Sequence, residues 1–295
     1  MIKKLKAYMM PIAISVGILL HSYVGALVFL IPYLIFAMLL LTYIKLSVSK
    51  LRITAMHWWL LAIQVLGSSL LYFILQPLNI VLAQSVMICV LAPTASAAPV
   101  IGGMLKGNVA SLTTYGLMSN LAVAFFAPLL FSFIGYRELA FFDSAFDIAQ
   151  KVIVLLALPL LLSVVINRWF KTLAKPMQQH TGITFYMWSL ALTIVTGRTV
   201  QFVIEQGKSQ LWLEIVMAVA ALVVCVMQFW IGRRIGRKLD DTVAGGQGLG
   251  QKNTILVIWM AQMYLNPLAA IGPGAYVLWQ NSVNSWQLWR IRKHL

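Results

Sequence analysis

The chain has 295 residues, of which 61% are hydrophobic and only 10% charged, and its mean hydropathy is +0.88. A soluble domain carries about 25% charge, so this composition excludes an ordinary soluble enzyme or binding module. The formal net charge of +15 is read as topology rather than nucleic-acid affinity, because Lys and Arg gather in the cytoplasmic loops of membrane proteins.

In chain order, apolar runs long enough to cross a bilayer are predicted at 7–22, 24–44, 57–75, 79–104, 109–134, 148–167, 181–199, 210–231, 243–263 and 267–288. The opening Met1–Lys6 imitates a signal peptide, but no clear small-residue cleavage site follows, so a retained first helix is expected. Pro11, Pro32, Pro128 and Pro159 fall in spans and are read as kinks. The polar stretch Phe141–Gln150 before span six is read as a loop, with a helix along the interface as the alternative.

Spans four and nine are interrupted. The first reads Leu91-Ala92-Pro93-Thr94-Ala95-Ser96-Ala97-Ala98-Pro99, followed by Gly102-Gly103. The second reads Gly245-Gly246-Gln247-Gly248-Leu249-Gly250-Gln251-Lys252-Asn253. Within lipid, irregular backbone is tolerated only where protein buries it or where it lines a wet cavity. Interruptions at matching places in two halves point to the binding site of a secondary transporter.

With the N-terminus inside, the inner segments hold 17 basic residues and the outer segments only Arg137, Arg198 and Lys208. This asymmetry puts both termini in the cytoplasm. Trp58, Trp59, Trp169, Trp212, Trp230 and Trp289 fall near span ends, where indoles favour the interface. Five spans precede the Arg137–Asp147 loop and five follow it, so the halves 1–136 and 137–295 enter from opposite sides. The expected fold is an all-α membrane protein of ten transmembrane helices in two inverted five-helix repeats, with discontinuous helices four and nine. Short loops fit a bacterial inner membrane.

Ala92-Pro93-Thr94-Ala95-Ser96, then Leu105-Lys106-Gly107-Asn108-Val109-Ala110, resembles the first signature of the bile acid:sodium symporter family. Gly250-Gln251-Lys252-Asn253-Thr254 resembles a degenerate form of the second. The resemblance implies a panel of spans 1, 2, 6 and 7 and a core of spans 3–5 and 8–10, where the broken helices cross. It also implies an organic-anion substrate, usually driven by sodium.

The sodium ligands of that family do not carry over well. Ala98-Pro99 stands where the family has Ser-Asn, Leu112 and Gly116 where it has two hydroxyls, Gly248 where it has a carboxylate, and Lys252 where it has Gln. Gln64 matches a surviving polar ligand. A fixed ammonium would repel a sodium ion in a poorly screened interior, so sodium as a bound ion is uncertain and no other cofactor is expected.

Lys252 is the leading candidate residue. All seven acidic residues fall in loops or near span ends, which leaves it without a visible carboxylate partner. An intramembrane Lys is a functional candidate by default. Four readings stay open: an internal cation where relatives hold sodium, a proton exchanger, an attractor of the substrate anion, or a side chain that snorkels to the cytoplasmic surface. Thr94, Ser96, Gln247, Asn253 and Thr254 flank the breaks and can pair with freed backbone groups or line a site. Asn120 in span five is expected to hydrogen-bond between helices, with substrate contact as the alternative. Arg198 and Thr196 close span seven, and Asn108 shapes a cytoplasmic turn.

Cys89 and Cys225 lie in apolar runs and are read as packing residues, and the four His fall at span ends or loops, so no metal site is expected. No catalytic residue is assigned; Asp240-Asp241 alone is too small a carboxylate set for a magnesium-dependent membrane transferase. The resulting expectation is a non-enzymatic secondary active transporter that moves a small organic anion by alternating access, with Lys252 replacing the cation. The alternatives are a conventional sodium-coupled symporter using displaced ligands, a membrane-embedded lipid-modifying enzyme, and a channel or sensor. The expected partners are the anion and the lipid bilayer, and no nucleic acid.

Overall fold

The computed structural model describes residues 2–46, 51–134, 141–179, 182–206, 210–239 and 241–293. Among these, every regular element is a helix, and the one extended pairing is an isolated bridge between Thr94 and Lys252. Six helical stretches are long and apolar enough to cross a membrane: His21–Tyr43, Ala55–Leu75, Val109–Ile134, Phe141–Trp169, Ile183–Glu205 and Leu211–Lys238. Shorter apolar helices at Met9–Leu19, Ile80–Leu91 and Thr254–Tyr264 accompany them. This makes the chain an integral membrane protein by length and composition of its helices.

The chain divides into two compact units, the first formed by Met1–Leu46 with Ile153–Leu211, the second by Ser47–Val152 with Trp212–Leu295. The 136–137 repeat boundary, Arg137 and Glu138 lie outside the described residues.

The first unit holds α1 (Ile2–Leu19), α2 (His21–Val24), a 3-10 turn (Gly25–Leu30) and α3 (Ile31–Tyr43). It also holds most of α8 (Phe141–Trp169), then α9 (Lys171–Gln179) and α10 (Gly182–Gln206). Helix α10 is its spine and packs along α1, α2 and α3. Small residues allow that approach: a Cβ on Gly17 would lie 2.7 Å from the Thr193 carbonyl oxygen. Pro32 sits at the joint where the 3-10 turn passes into α3, within the helical stretch His21–Tyr43. Pro11, Pro128 and Pro159 lie inside helices.

Two expectations change here. The Phe141–Gln150 stretch is the first part of α8, not a loop; Asp143 stands in its first turn, where a carboxylate favours the positive end of the helix. Arg198 and Thr196 do not close their helix, which runs on to Gln206.

The second unit contains α4 (Ala55–Leu75), α5 (Ile80–Leu91), α6 (Ala98–Met104), α7 (Val109–Ile134), α11 (Leu211–Lys238), α12 (Thr242–Gly250) and α13 (Thr254–Tyr264). A 3-10 turn (Pro267–Ala270) and α14 (Ile271–Lys293) complete it. Short polar side chains start these helices. Thr54 and His57 form a reciprocal capping box on α4. Asn79, Asn108, Asp241 and Asn253 accept from the backbone N–H of Leu82, Ser111, Ala244 and Leu256. Each such cap is worth about 1 kcal/mol.

One core cluster joins Val86, Cys89 and Val90 of α5 to Ala221, Cys225 and Phe229 of α11 and Tyr276 of α14. Both cysteines are free and buried there. A second joins Met56 and Leu60, Ala98, Leu112 and Tyr115, and Ala244 and Leu249. Gly232 and Gly245 let α11 and α12 touch backbone to backbone, since a Cβ on either would run into the other's carbonyl oxygen.

Candidate functional site: the crossing of two broken helices

Helix α5 stops at Leu91 because Ala92 precedes a proline, a position that disfavours helical backbone. Ala92 accordingly takes φ −42° and ψ 131°. Helix α12 stops at Gly250, and Gln251 is extended at φ −90° and ψ 100°. The two extended segments then pair with each other. Ala95 N–H donates to the Gln251 carbonyl at 2.9 Å, and Asn253 N–H donates to the Pro93 carbonyl at 2.8 Å. Thr94 and Lys252 face each other as an antiparallel pair.

A helix end leaves carbonyls without partners, and here side chains fill that need. At the end of α5, Cys89 O accepts from Gln228 Nε2 at 3.4 Å, and Leu91 O from Gln64 Nε2 at 2.8 Å. Lys252 Nζ donates to Val90 O and Ala92 O, both at 2.9 Å. At the end of α12, Gly248 O accepts from the Thr94 hydroxyl at 2.8 Å and Gly250 O from the Tyr276 hydroxyl at 2.9 Å. Lys252 Nζ thus sits at the negative end of α5. Among the described residues no carboxylate lies within ion-pair distance of it.

Lys252 is 1% exposed, which overturns the snorkelling alternative: the side chain turns inward to carbonyls instead of outward to water. Its main chain is clamped by Gln280, whose Oε1 accepts from Lys252 N at 2.8 Å and whose Nε2 donates to Lys252 O at 3.3 Å.

Gln64 of α4 is fully buried and ties α4 and α7 to the break at the end of α5. Besides donating to Leu91 O, it donates to Ala92 O at 3.2 Å. Its Oε1 accepts from the Tyr115 and Ser119 hydroxyls, each at 2.8 Å. The Ser119 oxygen accepts in turn from Thr94 N–H at 3.0 Å. Every donor and acceptor of the Gln64 amide is engaged.

A second cluster extends from the α12 side. Gln247 Nε2 donates to Asn284 Oδ1 at 2.9 Å and to Gln287 Oε1 at 3.3 Å. Asn284 Nδ2 donates to Gln251 Oε1, and Arg233 donates to Gln287 Oε1 at 3.2 Å.

Of the predicted residues, the crossing unites Gln64, Thr94 and Lys252, with Asn253 beside them as the cap of α13 and Gln247 one turn back in α12. Ser96 is exposed on the first break and joins none of these bonds, and Thr254 is buried at the start of α13. Asn120 does not bridge helices as expected. Its Nδ2 donates to the Gly116 carbonyl one turn back in α7 at 2.7 Å, and its Oδ1 is buried with no partner among the described residues.

Sequence reading missed Tyr115, Ser119, Tyr276, Gln280, Asn284 and Gln287. A signal for them exists. The last four recur at spacings of four, four and three along α14, which is one helical face. Tyr115 and Ser119 are likewise one turn apart.

The arrangement gives Lys252 Nζ two carbonyl acceptors, a setting that suits an ammonium. A second cation 4 Å away would meet a repulsion of roughly 4 kcal/mol at an effective dielectric of 20. A side chain at position 248 would also meet the Tyr115 ring, 2.9 Å from the Gly248 Cβ position. No group of three His, Cys, Asp or Glu able to hold a metal occurs among the described residues. No family model matches this chain, and no curated protein matches it either.

Proposed function

We propose that this protein is a secondary active transporter of a small organic anion, working by alternating access and similar to the bile acid:sodium symporters. Lys252 takes the part of the coupling cation at the crossing. In this reading the chain crosses the bacterial inner membrane ten times in two inverted five-helix repeats, with both termini cytoplasmic. The unit that holds the crossing is the core, and the other is the panel.

One observation supports the reading above others: the Lys252 ammonium donating to Val90 O and Ala92 O at the point where two broken helices pair. Broken helices are expensive in lipid and recur where a transporter binds its cargo. A buried charge at that point calls for a role.

Purified protein in liposomes, screened with small carboxylates, tests it. The expected result is saturable uptake that persists when sodium is replaced by potassium at constant pH. Uptake that collapses without sodium identifies a conventional symporter with displaced ligands. Flux without saturation identifies a pore, and chemical change of a lipid identifies an enzyme.

A further inference from the structure

The first unit carries an uncompensated basic platform. Its segments 1–46 and 153–211 contain one acidic residue, Glu205. That residue lies near the end of α10 (Gly182–Gln206), more than ~30 Å along the axis from the α9–α10 junction. The other end of the unit presents Lys45, Arg168, Lys171 and Lys175, all exposed and none with a carboxylate partner among the described residues.

These cations are held together by a rigid joint. The Ile44 carbonyl, one residue before Lys45, accepts from Asn167 Nδ2 at 2.9 Å and from Gln178 Nε2 at 3.2 Å. Gln178 Nε2 also donates to Asn167 Oδ1 at 3.2 Å. Helix α9 follows α8 after the single residue Phe170, and Ala174, 4% exposed, seats it. On α9 the helical period sets Lys171 and Lys175 on one flank of Ala174, and Leu173 and Met177 on the other. Trp169, Phe170 and Leu173 stand beside the cations, 68%, 52% and 58% exposed.

A short helix with a basic flank and an apolar flank lies in a membrane interface, and exposed indole rings favour the same depth. We infer that this platform binds the headgroup of an anionic phospholipid. Arg168, Lys171, Lys175 and Lys45 engage the phosphodiester, and Trp169, Phe170 and Leu173 enter the glycerol and acyl region. A soluble anion would leave those three apolar side chains in water, so lipid is the occupant that fits both halves of the surface. The inference is independent of transport.

Native mass spectrometry of the full chain, from micelles doped equally with phosphatidylglycerol and phosphatidylcholine, tests it. The wild-type protein should retain phosphatidylglycerol preferentially. The Arg168→Gln/Lys171→Gln/Lys175→Gln variant should lose that preference by roughly 100-fold, given the usual contribution of each basic residue near an anionic surface. A variant with the same charge change elsewhere, Arg234→Gln/Arg237→Gln/Lys238→Gln, should keep it, as should the conservative Lys171→Arg/Lys175→Arg. The inference is overturned by equal retention of the two lipids in the wild type, or by equal loss in both triple variants. Displacement of phosphatidylglycerol by inorganic phosphate would also overturn it, in favour of a free-anion site.

Discussion

Lys252 shows how a Lys side chain is kept inside an apolar chain with no acidic partner among the described residues. Its hydrogen bonds end on Val90 O and Ala92 O, groups that the end of α5 leaves without intrahelical partners. Charge-assisted bonds of this kind are worth about 1.5–3 kcal/mol each, and an orphaned buried acceptor costs a similar amount. Lys252→Met, of similar length, removes the donors, leaving Val90 O bare and Ala92 O with the Gln64 bond alone. Thermal unfolding in detergent should show a loss of about 2–4 kcal/mol; a variant as stable as the parent would mean that water or another donor serves those carbonyls. Thr94→Val keeps the shape but removes the donor to Gly248 O. The same assay should show a loss of about 1–2 kcal/mol, and no loss would detach Thr94 from the crossing.

At the scale of elements, the crossing depends on how closely helices approach it. Gly232 and Gly245 fix α11 against α12 with no room for a side chain. Gly232→Ala should therefore destabilise the protein by roughly 1–3 kcal/mol, as overpacking does, despite the better helix propensity of Ala. Gly274, which has nothing within 4 Å of its Cβ position, supplies the control: Gly274→Ala should be neutral or stabilising. The first break was legible in the sequence because Ala92-Pro93 announces where α5 must end, whereas the Gly-rich run at 245–250, read as part of the second break, is helical in α12, and the chain leaves the helix only at 251–253. The start of α8 was not legible, because Asp143, Ser144 and Asp147 make Phe141–Gln150 look like a loop when they in fact occupy an acidic first stretch of a longer helix. The end of α10 was misplaced for a related reason: Arg198 reads as a terminus, yet it sits one turn before Gln201, whose Oε1 accepts from it at 3.3 Å.

For the whole molecule, hydropathy and the spacing of basic residues carry the membrane class, and the six long apolar helices agree with it. The site is harder to read from sequence, since it is assembled by polar residues from separate helices. Gln64, Thr94 and Lys252 lie far apart in the chain and stood out one at a time, whereas Tyr115, Ser119 and Gln280 look like ordinary polar residues of apolar helices until Gln64 and Lys252 are seen beside them. Single-residue patterns reveal periodicity within a helix but not which faces meet.

In the proposed transporter this crossing already contains its own cation. Melting of the purified protein in matched sodium and potassium chloride tests that directly, without knowledge of the substrate. Because a bound ion would stabilise the folded state by about 2.7 kcal/mol at a hundredfold excess over its Kd, the comparison is sensitive. The melting temperature should be the same in both salts. A melting temperature raised specifically by sodium would contradict the proposal, because a sodium ion would then be bound where the Lys252 ammonium was held to suffice.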